Sequence, residues 1–338
     1  EFVGAKPYRG VLTGFNEAFL IDEMTRADLI REDPACAEII KPYLRGQDIK
    51  RWVPNWQGLW MIVLKSSANH PWPWAEVADD AEAVFARTCP SLYAHLKPLQ
   101  ERLIARQDQG RYWWELRSCD YYGAFEHAKI LYQEIQFLPQ YAFSDSPLYG
   151  NNKVFLLPTT DRYLLAVLNS PLMWWHNWRY LPHMKDEALN PAGFRMETLP
   201  IAEPTPEIRT ETEDRVASLI VLAQESQDQT RELLNWLRLE FGVDQPGQRL
   251  ETFADLTADD FVAEIRKRRP KTTPRLTPKT ITELIGTHRH YADAARQRAA
   301  QVLALERRLS ELVHRAYRLT EDEIELLWRT APPRMPLF

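Results

Sequence analysis

Pro200-Ile201-Ala202-Glu203-Pro204-Thr205-Pro206 places three prolines in seven residues and separates two textures of sequence. Proline fixes φ and removes a backbone donor, so such a run reads as a linker. Downstream, apolar residues recur at helical spacing over 211–241, through Val216, Leu219, Ile220, Ala223, Leu233, Leu234 and Leu237, and the pattern stops at Gly242. At about 1.5 Å per residue this predicts a rod of roughly 45 Å. A second pattern covers 291–317 through Ala295, Ala299, Val302, Leu309, Val313 and Ala316, and Thr320 with Glu323 forms a capping box for a last short helix. Stripes this long need a partner. Two uses fit them, a bundle that completes the fold or a paired-helix spacer and docking surface.

Upstream of the linker the pattern is different. Residues 1–200 hold ten of the twelve tryptophans and short apolar runs at 59–64, 130–132 and 154–157, which read as strands. Helical candidates alternate with them at 74–87, at 91–107 with Pro98 inside it as an expected kink, and at 161–170 behind a possible Thr160 cap. The chain is therefore expected to be α+β. A mixed α/β domain over 1–200 precedes a long-helix bundle or helical spacer over 207–338.

Composition narrows the class less than the pattern does. With 338 residues, 45% of them hydrophobic, the chain can bury a real core and is not disordered. Cys36, Cys89 and Cys119 are odd in number and form no CxxC pair, which argues against a disulfide-stapled or zinc-built fold and points to a reducing cytoplasmic compartment. No apolar stretch approaches the roughly 20 residues of a membrane span, and no secretory signal opens the chain. The opening Glu1-Phe2-Val3-Gly4 reads as a mid-protein start. The net charge of −5 gives no global support to a polyanion partner, yet 266–298 carries ten Lys or Arg against only Glu283 and Asp293. That run suits either a solvated face or a contact with phosphate or another domain.

The common enzyme signatures are missing: neither GxGxxG nor GxxxxGK[ST] is present, nor HExxH, nor GxSxG. Asp48-Ile49-Lys50 resembles the acidic-x-lysine end of a nuclease metal site, but lacks an upstream Pro-Asp partner and reads first as a turn. His288-Arg289-His290 puts its two imidazoles on different helix faces. No catalytic residue, metal ligand or cofactor site is assigned. More informative is the interleaving of Arg102, Arg106, Arg111, Tyr112, Trp113, Trp114, Arg117, Tyr121, Tyr122 and Lys129, with Gly110 and Gly123 as turn points. Guanidinium groups take phosphates or guanine edges while rings wedge or stack, although the same residues also suit a core rim. Tyr149-Gly150-Asn151-Asn152-Lys153 forms a polar loop between strand candidates, and its amides could pair with adenine.

Four stretches give a resemblance. They are Gly10-Val11-Leu12-Thr13-Gly14-Phe15-Asn16-Glu17-Ala18-Phe19; Ile40-Lys41-Pro42-Tyr43-Leu44-Arg45-Gly46-Gln47-Asp48-Ile49-Lys50-Arg51-Trp52; Trp114-Glu115-Leu116-Arg117 through Lys129-Ile130; and Leu164-Leu165-Ala166-Val167-Leu168-Asn169-Ser170. Together with the tail from Leu309 to Ile324, they resemble the target-recognition half of restriction-modification DNA adenine methyltransferases of the TaqI type and of the type IIG, Eco57I-like enzymes. In that family a preceding half binds S-adenosylmethionine and carries Asn-Pro-Pro-Tyr; Asn190-Pro191-Ala192 and Asn169-Ser170-Pro171 do not match it. The resemblance implies DNA sequence recognition for this chain, without a cofactor of its own, beside an upstream methyltransferase domain. It implies double-stranded DNA as partner. On that reading Arg106, Arg111, Arg117 and Lys129 contact DNA, Asn151, Asn152 and Lys153 face it from an opposing loop, and Arg45, Lys50 and Arg51 touch phosphate. Trp113, Trp114 and Tyr122 are expected as supporting core. The alternative is a scaffold or interaction module without DNA binding.

Overall fold

The computed structural model describes residues 4–77, 79–191 and 193–337, so the opening Glu1-Phe2-Val3 lies outside the described residues. A mixed α/β region is followed by long helices, and the chain forms two compact units. Residues up to Glu203 together with Thr320–Pro336 make one, and Pro204–Leu319 make the other.

The first unit is built on two four-stranded sheets. One has the order β1 (Tyr8–Arg9), β8 (Val154–Leu157), β5 (Lys129–Gln133), β6 (Ala142–Ser144), antiparallel throughout. The other runs β2 (Leu20–Ile21), β4 (Trp60–Ile62), β3 (Ile40–Leu44), β7 (Tyr149–Gly150), and its β3–β7 pair is parallel. β5 and β8 are buried along nearly their whole length, as continuous apolar runs require when both faces are covered. The chain passes from the second sheet to the first through residues 151–153, and this crossing places the candidate site.

Helices depart from the sequence pattern where a local device intervenes. The 74–87 candidate is helical only over Ala81–Thr88, because Trp74 is fully buried and its indole donates to Glu115 at 2.8 Å. Pro98 splits the next candidate into Pro90–Leu96, a 3₁₀ turn at Lys97–Leu99, and Gln100–Ala105. The cap of Arg162–Leu168 is Asp161, which accepts from the Leu164 amide at 2.9 Å; Thr160 is not the cap.

In the second unit the first rod spans Pro206–Phe241 and ends at Gly242 in the left-handed conformation, φ 67°. The second spans Pro278–Ala316. Both start earlier than their apolar stripes suggest, and for one reason: Thr205-Pro206 and Thr277-Pro278 each combine a capping hydroxyl with proline at the first helical position. The rods pack along each other, and Arg308 of the second forks onto Glu211 of the first at 2.8 and 3.2 Å. A further helix, Ala258–Arg268, lies between them in sequence, so Arg266–Arg268 form its last turn where an open connection was expected. Its buried Glu264 pairs with Arg268 at 2.7 Å and Arg249 at 3.6 Å.

The closing helix, Glu321–Arg329, has the expected Thr320–Glu323 capping box. Sequence pattern groups it with the rods; in the structure it packs in the first unit. Leu327 and Met335 share a cluster with Trp174, Leu181 and Leu189, and the Trp174 indole donates to the Pro333 carbonyl at 3.1 Å.

Candidate nucleic-acid interface

Two backbone segments meet where the chain changes sheets. The Gly10 amide donates to the Val154 carbonyl at 2.7 Å and the Val11 amide to the Gly150 carbonyl at 2.8 Å. Contact this close excludes side chains. A Cβ at Gly10 would collide with the Asn151 carbonyl oxygen, and one at Gly150 would lie 2.7 Å from the Val154 Cβ. The loop turns on Asn151, whose side-chain oxygen accepts from the Lys153 amide at 3.0 Å in an Asx turn. Gly14, at φ +65°, turns the facing 10–17 loop against Asp108 and Arg106.

Between these loops lies an open pocket of about 430 Å³ lined by Thr13, Phe15, Asn16, Arg102, Asn151 and Asn152, among others. The Thr13 hydroxyl donates to the Asn16 side-chain oxygen at 2.6 Å, which orients that amide. Arg102 lies 4.1 Å from the Phe15 ring centroid and pairs with Glu17 at 2.8 Å. Amides, a hydroxyl, a guanidinium and an aromatic face therefore line one concavity. This donor and acceptor set matches nucleobase edges and a stacked ring.

The aromatic-basic stretch supports the far side of the 10–17 loop. Arg106 is buried; it donates to the carbonyls of Thr13, Trp113 and Glu115, and desolvation pushes its pKa down to about 10. Glu115 is fully buried and acts as a hub, accepting from the Trp74 indole at 2.8 Å and from the Arg111 and Tyr112 amides at 2.9 and 3.2 Å. Trp113, Trp114 and Tyr122 are all buried. Trp114 stacks on Tyr112 and Phe85 with ring centroids at 4.7 and 5.0 Å.

Exposure sorts the remaining candidates. Arg111 and Arg117 are exposed, the first bonded to the Ala75 carbonyl at 2.7 Å and the second paired with Asp108 at 3.3 Å. Lys153 is exposed and shares Glu134 with Arg9. Lys129 faces inward with no exposed surface, donating to the carbonyls of His127 and Ser146 at 2.8 and 2.7 Å; burial lowers its pKa to about 8. Arg45 closes on Asp48 through its backbone amide and guanidinium, which accounts for the Asp48-Ile49-Lys50 resemblance as an internal turn. Arg51 reaches the Pro139 carbonyl at 3.1 Å, and Lys50 is exposed.

The structure thus brings Asn151, Asn152 and Lys153 beside Arg45, since Gly46 adjoins Lys153, and sets Arg106 behind the same pocket. Arg111 and Lys129 lie outside the pocket lining. Sequence reasoning missed Thr13, Phe15, Asn16 and the ring contact of Arg102. The available signal was the pair Gly10 and Gly14, four residues apart and bracketing Val11-Leu12-Thr13.

Residues 41–201 match the TaqI-like C-terminal specificity domain, and residues 205–313 match a domain of unknown function, DUF8810. The two matches meet where the two compact units divide. The TaqI-like match falls within the first unit. In fold the chain is similar to the type IIL restriction-modification enzyme MmeI, solved in complex with DNA: TM-score 0.53 at 14% identity over 97% of this chain. The chain spans about a third of that enzyme, 35% of its length. No curated protein matches.

Proposed function

We propose that this chain recognises a DNA sequence on behalf of a restriction-modification enzyme. In the parent protein an S-adenosylmethionine-binding half methylates adenine at N6, as in the type IIG enzymes that join methylation to cleavage. The observation that carries the reading is the TaqI-like specificity match over 41–201, laid on a fold whose sheet-crossing loop lines an open polar pocket. Asn151 and Asn152 take base edges, Arg111, Arg117 and Lys153 approach the duplex from the surface, and Arg45, Lys50 and Arg51 serve phosphate. Arg106 and Lys129 act from beneath, as positioning residues. The chain holds DNA and leaves methyl transfer to its neighbour.

Selection from a pool of random duplexes, followed by sequencing, tests this. The intact chain is expected to enrich one motif. Asn151→Ala or Asn152→Ala should blur one position at a cost of about 1–3 kcal/mol. Lys50→Ala should weaken all sequences alike and reduce the salt slope by about one. S-adenosylmethionine titrated into this chain alone should give no saturable heat. No enriched motif with either this chain or the parent enzyme would overturn the proposal.

A further inference from the structure

Arg9, Lys97, Arg102, Arg117 and Lys153 each pair with a carboxylate. In the second unit the balance fails at one place. No carboxylate occurs between Glu264 and Glu283, and seven Lys or Arg fall in that interval. Arg268 is held by Glu264 at 2.7 Å, and Arg269 donates to the Pro274 carbonyl at 2.8 Å. Arg266, Lys267, Lys271, Arg275 and Lys279 are exposed, and none makes an ion pair among the described residues.

Arg266 and Lys267 lie in the last turn of Ala258–Arg268, Lys271 and Arg275 in the built elbow that follows it, and Lys279 in the first turn of the second rod. Pro270 packs on Gly242, where an added Cβ would lie 3.1 Å from its ring. Arg268 covers Gly247 and donates to the Gln245 carbonyl at 2.9 Å, and the Thr273 hydroxyl donates to the Pro270 carbonyl at 2.6 Å. Five exposed cations within residues 266–279, with no carboxylate among them, make this segment locally positive and attract anions. Its chemistry selects among anions. No exposed large apolar or aromatic side chain stands among these cations, so it lacks the desolvated anchors of a protein interface and the stacking platform of a single-strand binder. Mobile point charges without an apolar anchor suit a regular line of phosphates.

We propose that this elbow is a second DNA-contacting surface, which holds the sugar-phosphate backbone of a duplex and reads no base. The proposal rests on the DNA-recognition reading of the first unit, and the two can fail separately. The test compares the intact chain with its R266Q/K267Q/K271Q/R275Q/K279Q variant, by fluorescence anisotropy on a random-sequence duplex over a salt series. Circular dichroism checks that both are folded, and motif selection is run on both. The slope of log affinity against log salt is expected to become shallower by about 0.9 for each lost phosphate contact, up to about 4.5 in all, with the selected motif unchanged. An unchanged slope in a folded variant, with the motif retained, overturns the elbow and leaves the first unit's role standing. A shallower slope where neither protein selects a motif supports the elbow and overturns that role. A shifted motif in the variant overturns the claim that the elbow reads no base.

Discussion

Arg106 Nη1 donates to the carbonyl oxygen of Thr13 at 2.7 Å, joining residues 93 positions apart. Its other bonds, to Trp113 and Glu115, make one buried guanidinium the common support of three backbone carbonyls. Arg106→Met would leave the Thr13 and Trp113 carbonyls unsatisfied, while the Glu115 carbonyl keeps the Gly110 amide, at about 1–3 kcal/mol for each that finds no water. The variant is expected to unfold several degrees earlier and to exchange its 10–17 amides faster, read by thermal denaturation and hydrogen exchange. Arg117→Ala, which removes an exposed pair, should cost less than about 1 kcal/mol.

Gly10 and Gly286 are expected to respond in opposite directions to alanine. At Gly10 the new methyl meets the Asn151 carbonyl, so the two loops must separate, with a loss of about 2 kcal/mol or more and a weakened pocket. Gly286 is exposed within the second rod and has open space around its Cβ position. Gly286→Ala should stabilise by about 0.5–1 kcal/mol. Chemical denaturation of both variants decides, and equal effects would contradict the close approach at Gly10.

Lys129 makes stability depend on pH. Burial lowers its pKa from 10.5 to about 8, against the pull of Glu126 and Asp145. Below pH 8 folded and unfolded chains both hold the proton, and the full penalty of burying the charge applies. Between about pH 8 and 10.5 only the unfolded chain holds it, so this contribution to stability rises with pH, by on the order of 3 kcal/mol across the window. Lys129→Met should remove that rise. The wild type should therefore gain stability relative to the variant across this range, and parallel curves of stability against pH would contradict the assignment.

Val313 and Leu309 sit buried on the second rod, at 1% and 4% exposure. An aspartate at either position puts an unpaired charge in the seam, and the expected cost exceeds about 3 kcal/mol. Circular dichroism should show an early loss of helix. Glu211→Gln, which removes a half-exposed partner of Arg308, should cost less than about 1 kcal/mol.

Periodicity and local motifs made the rods, the capping box of the closing helix and the main strands legible, because each writes its pattern into neighbouring residues. Helix starts at Thr205-Pro206 and Thr277-Pro278 were less visible, since the first turns there carry little of the apolar stripe. The site was legible as composition and illegible as direction. Arg106 and Lys129 look in sequence like Arg111 and Lys153, yet the first two point at carbonyls under the loops and the others reach the surface. What separates them is contact between residues far apart in the chain. The pocket shows the same limit, since Asn16 and Asn151 become neighbours only when two sheets are joined.

The return of Thr320–Pro336 to the first unit gives the rods the status of an insertion between two parts of one core. A stop codon after residue 319 would not shorten a tail. It would strip Leu327, Met335 and the Pro333 carbonyl from Trp174 and damage a domain whose other residues lie more than a hundred positions upstream. Conversely, replacing residues 204–319 by a bridge between 203 and 320 would excise the rods as a cassette and leave that core its own closing helix. Such a cassette could be exchanged for another while the first unit and its pocket are left intact.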